Sequence, residues 1–541
     1  MEEMIEEETT TAAPVVPRGR RRLLSNAFVA GLGALLATEV ACGPLRTVKN
    51  EAATNGPAVP SAGGGKAAPN STAIPGTAPG ASGSASAKPG AGVSAASAPT
   101  ADPQMQHLLR RAGFGASPTE LAEYQKLGFE GAVDRLVDYD KVDNRALEQR
   151  LTGLGINLNN RQEIQRWWLV RMIYTQRPLE EKMTLFWHGL LTSAISKVHF
   201  APIMLTQNDF LRANALGRFP DLLKGITQDP AMMIWLDTDT NKKGHANENY
   251  ARELMELFSL GVGNYTETDV REAARALTGL TLRGVRILGQ VESTFVPRLH
   301  DDGSKTLLGH TGNFNADDIV DIIVAEPASA KFITRKLFSF FVYPNPPDDV
   351  LAPFVKVYQS NNYSIKELVR ALLKSPEFQS PQAYRAVVKS PADLVAGTAR
   401  LLGIDTDGKG LPALMTRMGQ ELFNPPNVAG WPGGPAWLSS GTWMTRLNFA
   451  NLVTALADSP KDPSGPAHDF MTNSATSPGD AADQLADVLL DGQVQPAQRQ
   501  VLADYLTPPS SGGTIAKKAW LDDRRRGALY LALAMPEYHL A

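Results

Sequence analysis

The stretch Ile234-Trp235-Leu236-Asp237-Thr238-Asp239-Thr240-Asn241-Lys242-Lys243-Gly244-His245-Ala246-Asn247-Glu248-Asn249-Tyr250-Ala251-Arg252-Glu253-Leu254-Met255-Glu256-Leu257-Phe258 sets a polar loop between two apolar runs of helical spacing. At about one hundred degrees per residue, Tyr250, Ala251, Leu254, Leu257 and Phe258 share one face of a helix expected from Asn249 to Leu260. The loop has its own pattern. Counted from Asp237, its first, third, fifth and twelfth positions are Asp237, Asp239, Asn241 and Glu248, the oxygen-ligand spacing of a helix-flanked calcium loop. Lys242 stands where such loops want glycine, and Gly244 where they want a β-branched residue. The alternative is a capped interhelix loop, in which Asp237 and Asn247 satisfy free helix-end groups.

Helical signals extend outward from this stretch. Ser117-Pro118-Thr119-Glu120 is a capping box with proline at the first helical position, and Gly128 is expected to end that helix. Pro178 to Val198 carries Met183, Phe186, Trp187, Leu190, Leu191 and Ala194 at helical spacing, and Thr266-Glu267-Thr268-Asp269 opens a further helix. More helices are expected near 203–216, 316–324, 328–342, 364–374, 390–402, 444–456 and 481–490. Strand character is confined to 281–308, where Val285, Ile287, Val291, Phe295 and Val296 alternate around turns, so one hairpin or small sheet is expected there. The fold class is therefore mainly α: a multi-helix body with one small β insertion.

The chain has 541 residues, a formal net charge of −3 and a single cysteine, so a disulfide within the chain is impossible. No clustered basic footprint points to nucleic acid. Near the N-terminus, Arg18-Gly19-Arg20-Arg21-Arg22 leads into the apolar run Ala27 to Ala37, which is too short to span a bilayer. This is the layout of an export signal of the twin-arginine kind. Cys42 follows Val40-Ala41 where a lipoprotein signal places its acylated residue, although Glu39 stands where leucine is usual. Ordinary signal cleavage is the alternative. From about Asn50 to Pro103 the chain is Gly, Ala, Ser and Pro without periodicity, which forms no core. Such a tether spans about 40 Å root-mean-square, from about 5–6 Å times the square root of its length. The expected organisation is a signal with Cys42 over 1–42, a tether over 43–103 and a helical body over 104–541, exported to the periplasm or cell surface and held to the membrane by its lipid.

Several motifs of the body resemble the family called domain of unknown function 1800. They are His107-Leu108-Leu109-Arg110-Arg111-Ala112-Gly113-Phe114-Gly115, Phe186-Trp187-His188, Asp229-Pro230-Ala231-Met232, Asn247 to Phe258, Ala274-Arg275-Ala276-Leu277-Thr278-Gly279, His300 to Thr306, and the Pro/Gly/Trp stretch from Gln420. The resemblance implies a large exported bacterial protein and carries no catalytic residue over. Leu190 stands where the family often has a second histidine after His188, which weighs against a His-pair metal site.

Among residues that could carry chemistry, Glu253 lies at the edge of the apolar helix face, where partial burial would raise its pKa and suit a general acid. The plainer reading pairs it with Arg275 or Arg212, and Glu256 is expected on the far side of the helix. His300 and Asp301, with Lys305, form a second acid-base candidate, whereas His188 reads as a core residue. Trp431, Trp437 and Trp443 on a Gly/Pro-rich scaffold, with Asn424 and Asn427, could stack on sugar rings or seal the core. No phosphate loop, Gly-x-Ser-x-Gly elbow or His-Glu-x-x-His motif occurs. Two functions follow: a carboxylate-dependent hydrolase acting on an envelope or extracellular polysaccharide, or a non-catalytic surface binding or scaffold protein stabilised by Ca2+ at Asp237, Asp239, Asn241 and Glu248.

Overall fold

A computed structural model describes residues 102–285, 290–457, 477–507 and 517–541. The export signal, Cys42, the tether up to residue 101 and Ile287 lie outside the described residues. Among those described, twenty-two α-helices accompany two antiparallel two-stranded sheets, in accord with a mainly α body. No described helix is long and apolar enough to cross a membrane.

Local sequence sets most helix starts. Ser117 and Glu120 form the expected capping box of the helix Pro118–Gln125, and Thr266 with Asp269 forms that of Glu267–Ala276. Two further boxes, Asn315 with Asp318 and Ser390 with Asp393, start the helices Ala316–Ala325 and Pro391–Leu401. Some helix ends are closed from a distance. Arg111 donates Nε to the Phe341 carbonyl (2.9 Å) and Nη2 to those of Phe340 and Val342 (both 3.0 Å), capping the helix Pro327–Phe341. Arg400 does the same for Arg161–Tyr174 through the carbonyls of Ile173 (2.8 Å) and Thr175 (3.0 Å). A guanidinium at a helix C-terminus meets both the free carbonyls and the negative end of the dipole.

The apolar side chains form two large cores. One gathers Leu108, Trp187, Leu223, Tyr250, Leu254, Phe338 and Leu372; the other gathers Trp168, Met204, Val395, Phe423, Leu485 and Leu529. Helix Pro178–Leu190 serves both: Leu179, Met183 and Trp187 enter the first and Leu185 the second, and all eleven residues from Pro178 to His188 are buried. A helix buried all round must satisfy its charges internally. Glu181 accepts from Trp168 Nε1 (3.0 Å), Arg171 Nε (3.0 Å) and Arg212 Nε (2.7 Å), and Lys182 pairs with Asp393 at 2.5 Å.

Several boundaries differ from the sequence reading. The helix expected over Pro178 to Val198 stops at Leu190, and a separate turn covers Ile195–Val198. Its break is where the chain meets another segment: Thr192 Oγ1 donates to the Val428 carbonyl (2.6 Å) and Ile195 N to that of Phe423 (2.9 Å). Gly128, expected to end a helix, begins Gly128–Val137 at a positive φ of 67°. The β region is two hairpins. β1 (Leu280–Val285) pairs with β2 (Gln290–Phe295) in the register Leu280 to Phe295, and β3 (Lys305–Leu307) pairs with β4 (His310–Gly312) through Leu308-Gly309, both at positive φ. Three-residue strands are too short to show alternation, so the second hairpin left no signal.

Candidate functional site

The helix Asn249–Glu256 starts where Asn247 Oδ1 accepts from Asn249 N (3.0 Å). It ends four residues before the expected Leu260, because Leu260 and Gly261 turn back to donate to the Met255 carbonyl at 2.8 and 3.0 Å, with Gly261 at a φ of 82°. Tyr250, Ala251, Leu254 and Phe258 are buried as the periodicity requires, and Leu257 is half-buried. Glu253 and Glu256 thus occupy the last turn, which holds no basic residue. The dipole's negative end disfavours a carboxylate there.

Glu253 is half-buried, and its pKa is raised, first by burial and then by the charge of Glu256, against a smaller opposing pull from Arg252. Among the described residues no side chain hydrogen-bonds or ion-pairs with its carboxyl. The neighbouring arginine and the two expected to neutralise it are engaged elsewhere. Arg212 and Arg275 hold Glu181 (2.7 Å) and Asp301 (2.8 Å), and Arg252 holds Glu267 (2.8 Å) and Glu248 (3.2 Å). Glu256, expected on the far side, instead acts on Glu253 electrostatically and accepts a 2.7 Å hydrogen bond from Tyr265. Residues three apart on a helix are neighbours. Tyr265 was not legible as a partner, since only the fold of the loop through Gly261 and Gly263 returns it to Glu256.

The other acid-base candidate is built differently. His300 is buried, and its Nδ1 lies 2.8 Å from the Thr278 carbonyl. The Arg275 guanidinium beside Asp301 holds its carboxyl well below the usual range, and Asp301 also accepts from Gly303 N (2.9 Å). Lys305, buried, donates to the carbonyls of Asp301 (2.5 Å) and Gly303 (3.1 Å). The motif closes its own loop, and its groups are spent on that closure.

The loop of Asp237, Asp239, Asn241 and Glu248 is likewise closed by protein groups. Asp237 pairs with Lys197 (2.8 Å), and Asn247 Nδ2 reaches the Asp237 carbonyl (3.4 Å). Buried Asn241 donates to the Ala274 carbonyl (2.8 Å) and accepts from Asn247 N (2.9 Å), while Glu248 pairs with Arg252. Calcium wants six to eight oxygens turned to one point. This donor set does not fit it, and among the described residues no three His, Cys, Asp or Glu side chains are placed to hold a metal ion. Of the two residues expected to cap the helix ends, Asn247 does so through Asn249 N (3.0 Å), whereas the Asp237 carboxylate meets Lys197 and Asn249 Nδ2 and caps no backbone group.

The tryptophans pack separately. Trp437 is buried, Trp431 lies half-buried over Gly189 and 5.7 Å from the His188 ring, and Trp443 lies half-buried 4.6 Å from that of His539. Asn427 is exposed and accepts from Ala429 N (2.9 Å), while Asn424 Oδ1 accepts from Ser196 N (3.2 Å). His188 sits edge-on to Trp168 in the core, its pKa lowered by burial to about 3.

The sequence model of a family described as "Protein of unknown function (DUF1800)" matches residues 107–540. No curated protein and no solved structure matches the chain.

Proposed function

We propose that this chain, which belongs to the DUF1800 family, is an exported, membrane-tethered cell-envelope protein that acts on an extracellular or envelope polysaccharide through Glu253. The observation that carries the reading is the state of Glu253: a half-buried carboxyl with a raised pKa, a carboxylate neighbour one turn on, and no ion-paired cation among the described residues. Glycoside cleavage calls for two carboxyl groups whose surroundings push their proton affinities apart. Glu253 is held toward the protonated form, as a general acid must be. Glu256, which accepts a 2.7 Å hydrogen bond from the Tyr265 hydroxyl, is the second carboxyl of the pair. The compartment comes from the twin-arginine pattern and Cys42, and the tether would hold the body off the membrane toward polymer.

The test is mass spectrometry of soluble sugars released when the full chain meets a panel of envelope and plant polysaccharides. Glu253→Gln is expected to cut release by about 10²–10⁴-fold, the usual contribution of a positioned acid. No product from any polymer, or equal release by the variant, would sink the proposal.

A further inference from the structure

Arg252 decides whether Glu253 and Glu256 face a cation. It stands directly before Glu253 and one turn before Glu256 on the helix Asn249–Glu256. Arginine and glutamate four apart on a helix are placed to pair. The charge of Arg252 acts on Glu253 and on Tyr265, whose hydroxyl bonds Glu256, so the guanidinium lies within electrostatic reach of the whole group. Its bonds go elsewhere. Nη1 and Nη2 donate to the two carboxylate oxygens of Glu267, each at 2.8 Å, and Nη2 also meets Glu248 at 3.2 Å.

Glu267 is held where it can do this. It is the first residue of the helix Glu267–Ala276, directly after Thr266, which forms the capping box with Asp269. Asp269 is tied in turn to the second hairpin by accepting from Leu308 N (2.8 Å). A helix start favours a carboxylate, and the hydrogen bonds from Arg252 lower the Glu267 pKa, so Glu267 keeps its charge where Glu253 takes up a proton. A guanidinium bonded to both oxygens of one carboxylate is oriented as well as attracted, whereas Glu248 supplies a single longer contact. Among the described residues no charge from another element acts on Glu253, which meets only Glu256 and Arg252 of its own helix.

We propose that Glu267 is a positioning residue, whose two-point grip turns Arg252 away from Glu253 and Glu256 and leaves that pair without a cation. This role rests on Glu253 being the general acid proposed above, and it makes that acid depend on a carboxylate from a different helix. With the grip released, Arg252 falls to Glu256 one turn on. That cancels the repulsion Glu256 exerts on Glu253 and brings a positive charge beside it.

Two readouts of the full chain test the role. In sugar release against pH, Glu267→Gln is expected to move the falling limb down by about one pH unit, the lower end of what an adjacent guanidinium does to a carboxyl. In the Arg252→Gln background the same substitution is expected to leave the limb in place, because Glu267 acts only through Arg252. The second readout needs no catalysis. Glu253→Gln is expected to raise the melting temperature of the parent at neutral pH, and that gain is expected to vanish in the Glu267→Gln background. Glu267 is exposed and its substitution leaves the Thr266–Asp269 capping box intact, so the fold is kept. A melting gain that survives Glu267→Gln, no gain in the parent, or a limb moved equally in the Arg252→Gln background would overturn the role of Glu267. Loss of the gain with no sugar released would remove the general acid and leave the hold on Arg252 standing, whereas release whose limb ignores Glu267→Gln would remove that hold alone.

Discussion

Glu181 is fully buried yet ionised: burial pushes its carboxyl up, and Arg212 and Arg171 outweigh that, holding it at about 2. Glu253 has the opposite balance, since burial and Glu256 raise it and its nearest arginine is turned to other carboxylates. The two therefore shape stability against pH in opposite senses. The lowered Glu181 contributes stability above the ordinary carboxyl range that is lost as pH falls toward about 2. Glu181→Gln leaves two buried guanidinium groups short of charge, and is expected to cost about 3–5 kcal/mol in denaturant unfolding at pH 7. The raised Glu253 contributes stability only while protonated, lost as pH rises through its folded value. Glu253→Gln should therefore melt higher than the parent at neutral pH, with the gap closing below the ordinary carboxyl range; a lower melt at neutral pH would show a hidden partner.

At the scale of elements, local chemistry was legible where it is local. Ser117-Glu120 and Thr266-Asp269 start helices as their spacing says, and the face of Tyr250, Ala251, Leu254 and Phe258 is buried. What escaped depends on contacts distant in sequence. The stop at Leu190 reflects the docking of residues 423–430, and the expected pairing of Glu253 with Arg275 or Arg212 fails because those arginines are claimed by Asp301 and Glu181. The 237–248 loop has calcium spacing, but Asp237 and Glu248 turn their oxygens to Lys197 and Arg252, and the Asn241 oxygen accepts from Asn247 N. Chelation is accordingly predicted to leave the melting temperature unchanged, whereas Lys197→Ala lowers stability by up to about 1 kcal/mol. A chelator-induced drop would restore the metal. At the docking point Gly430 has a φ of 83°, and a β-carbon there would lie 2.2 Å from the Gly189 carbonyl oxygen. Gly430→Ala should destabilise by more than about 1 kcal/mol, seen as a lower urea midpoint; an unchanged midpoint would mean the loop is not clamped there.

In the whole molecule, helix Pro178–Leu190 joins two cores by burying all its sides, so the body from residue 102 onward is expected to unfold with these cores coupled. In the proposed function the N-terminal portion supplies address and attachment. Replacing Arg20 and Arg21 together by lysine is predicted to block export, and Cys42→Ser to move exported protein from the membrane to the soluble fraction; membrane retention by that variant would remove the lipid. The proposed cleavage depends on the raised pKa of Glu253, and the pH dependence of sugar release from polysaccharide by the full chain measures that dependence. Release is expected to fall as pH rises through the raised pKa of Glu253, and Glu253→Gln to abolish this limb together with most of the activity. Release that grows with pH, or that survives the substitution, would contradict it.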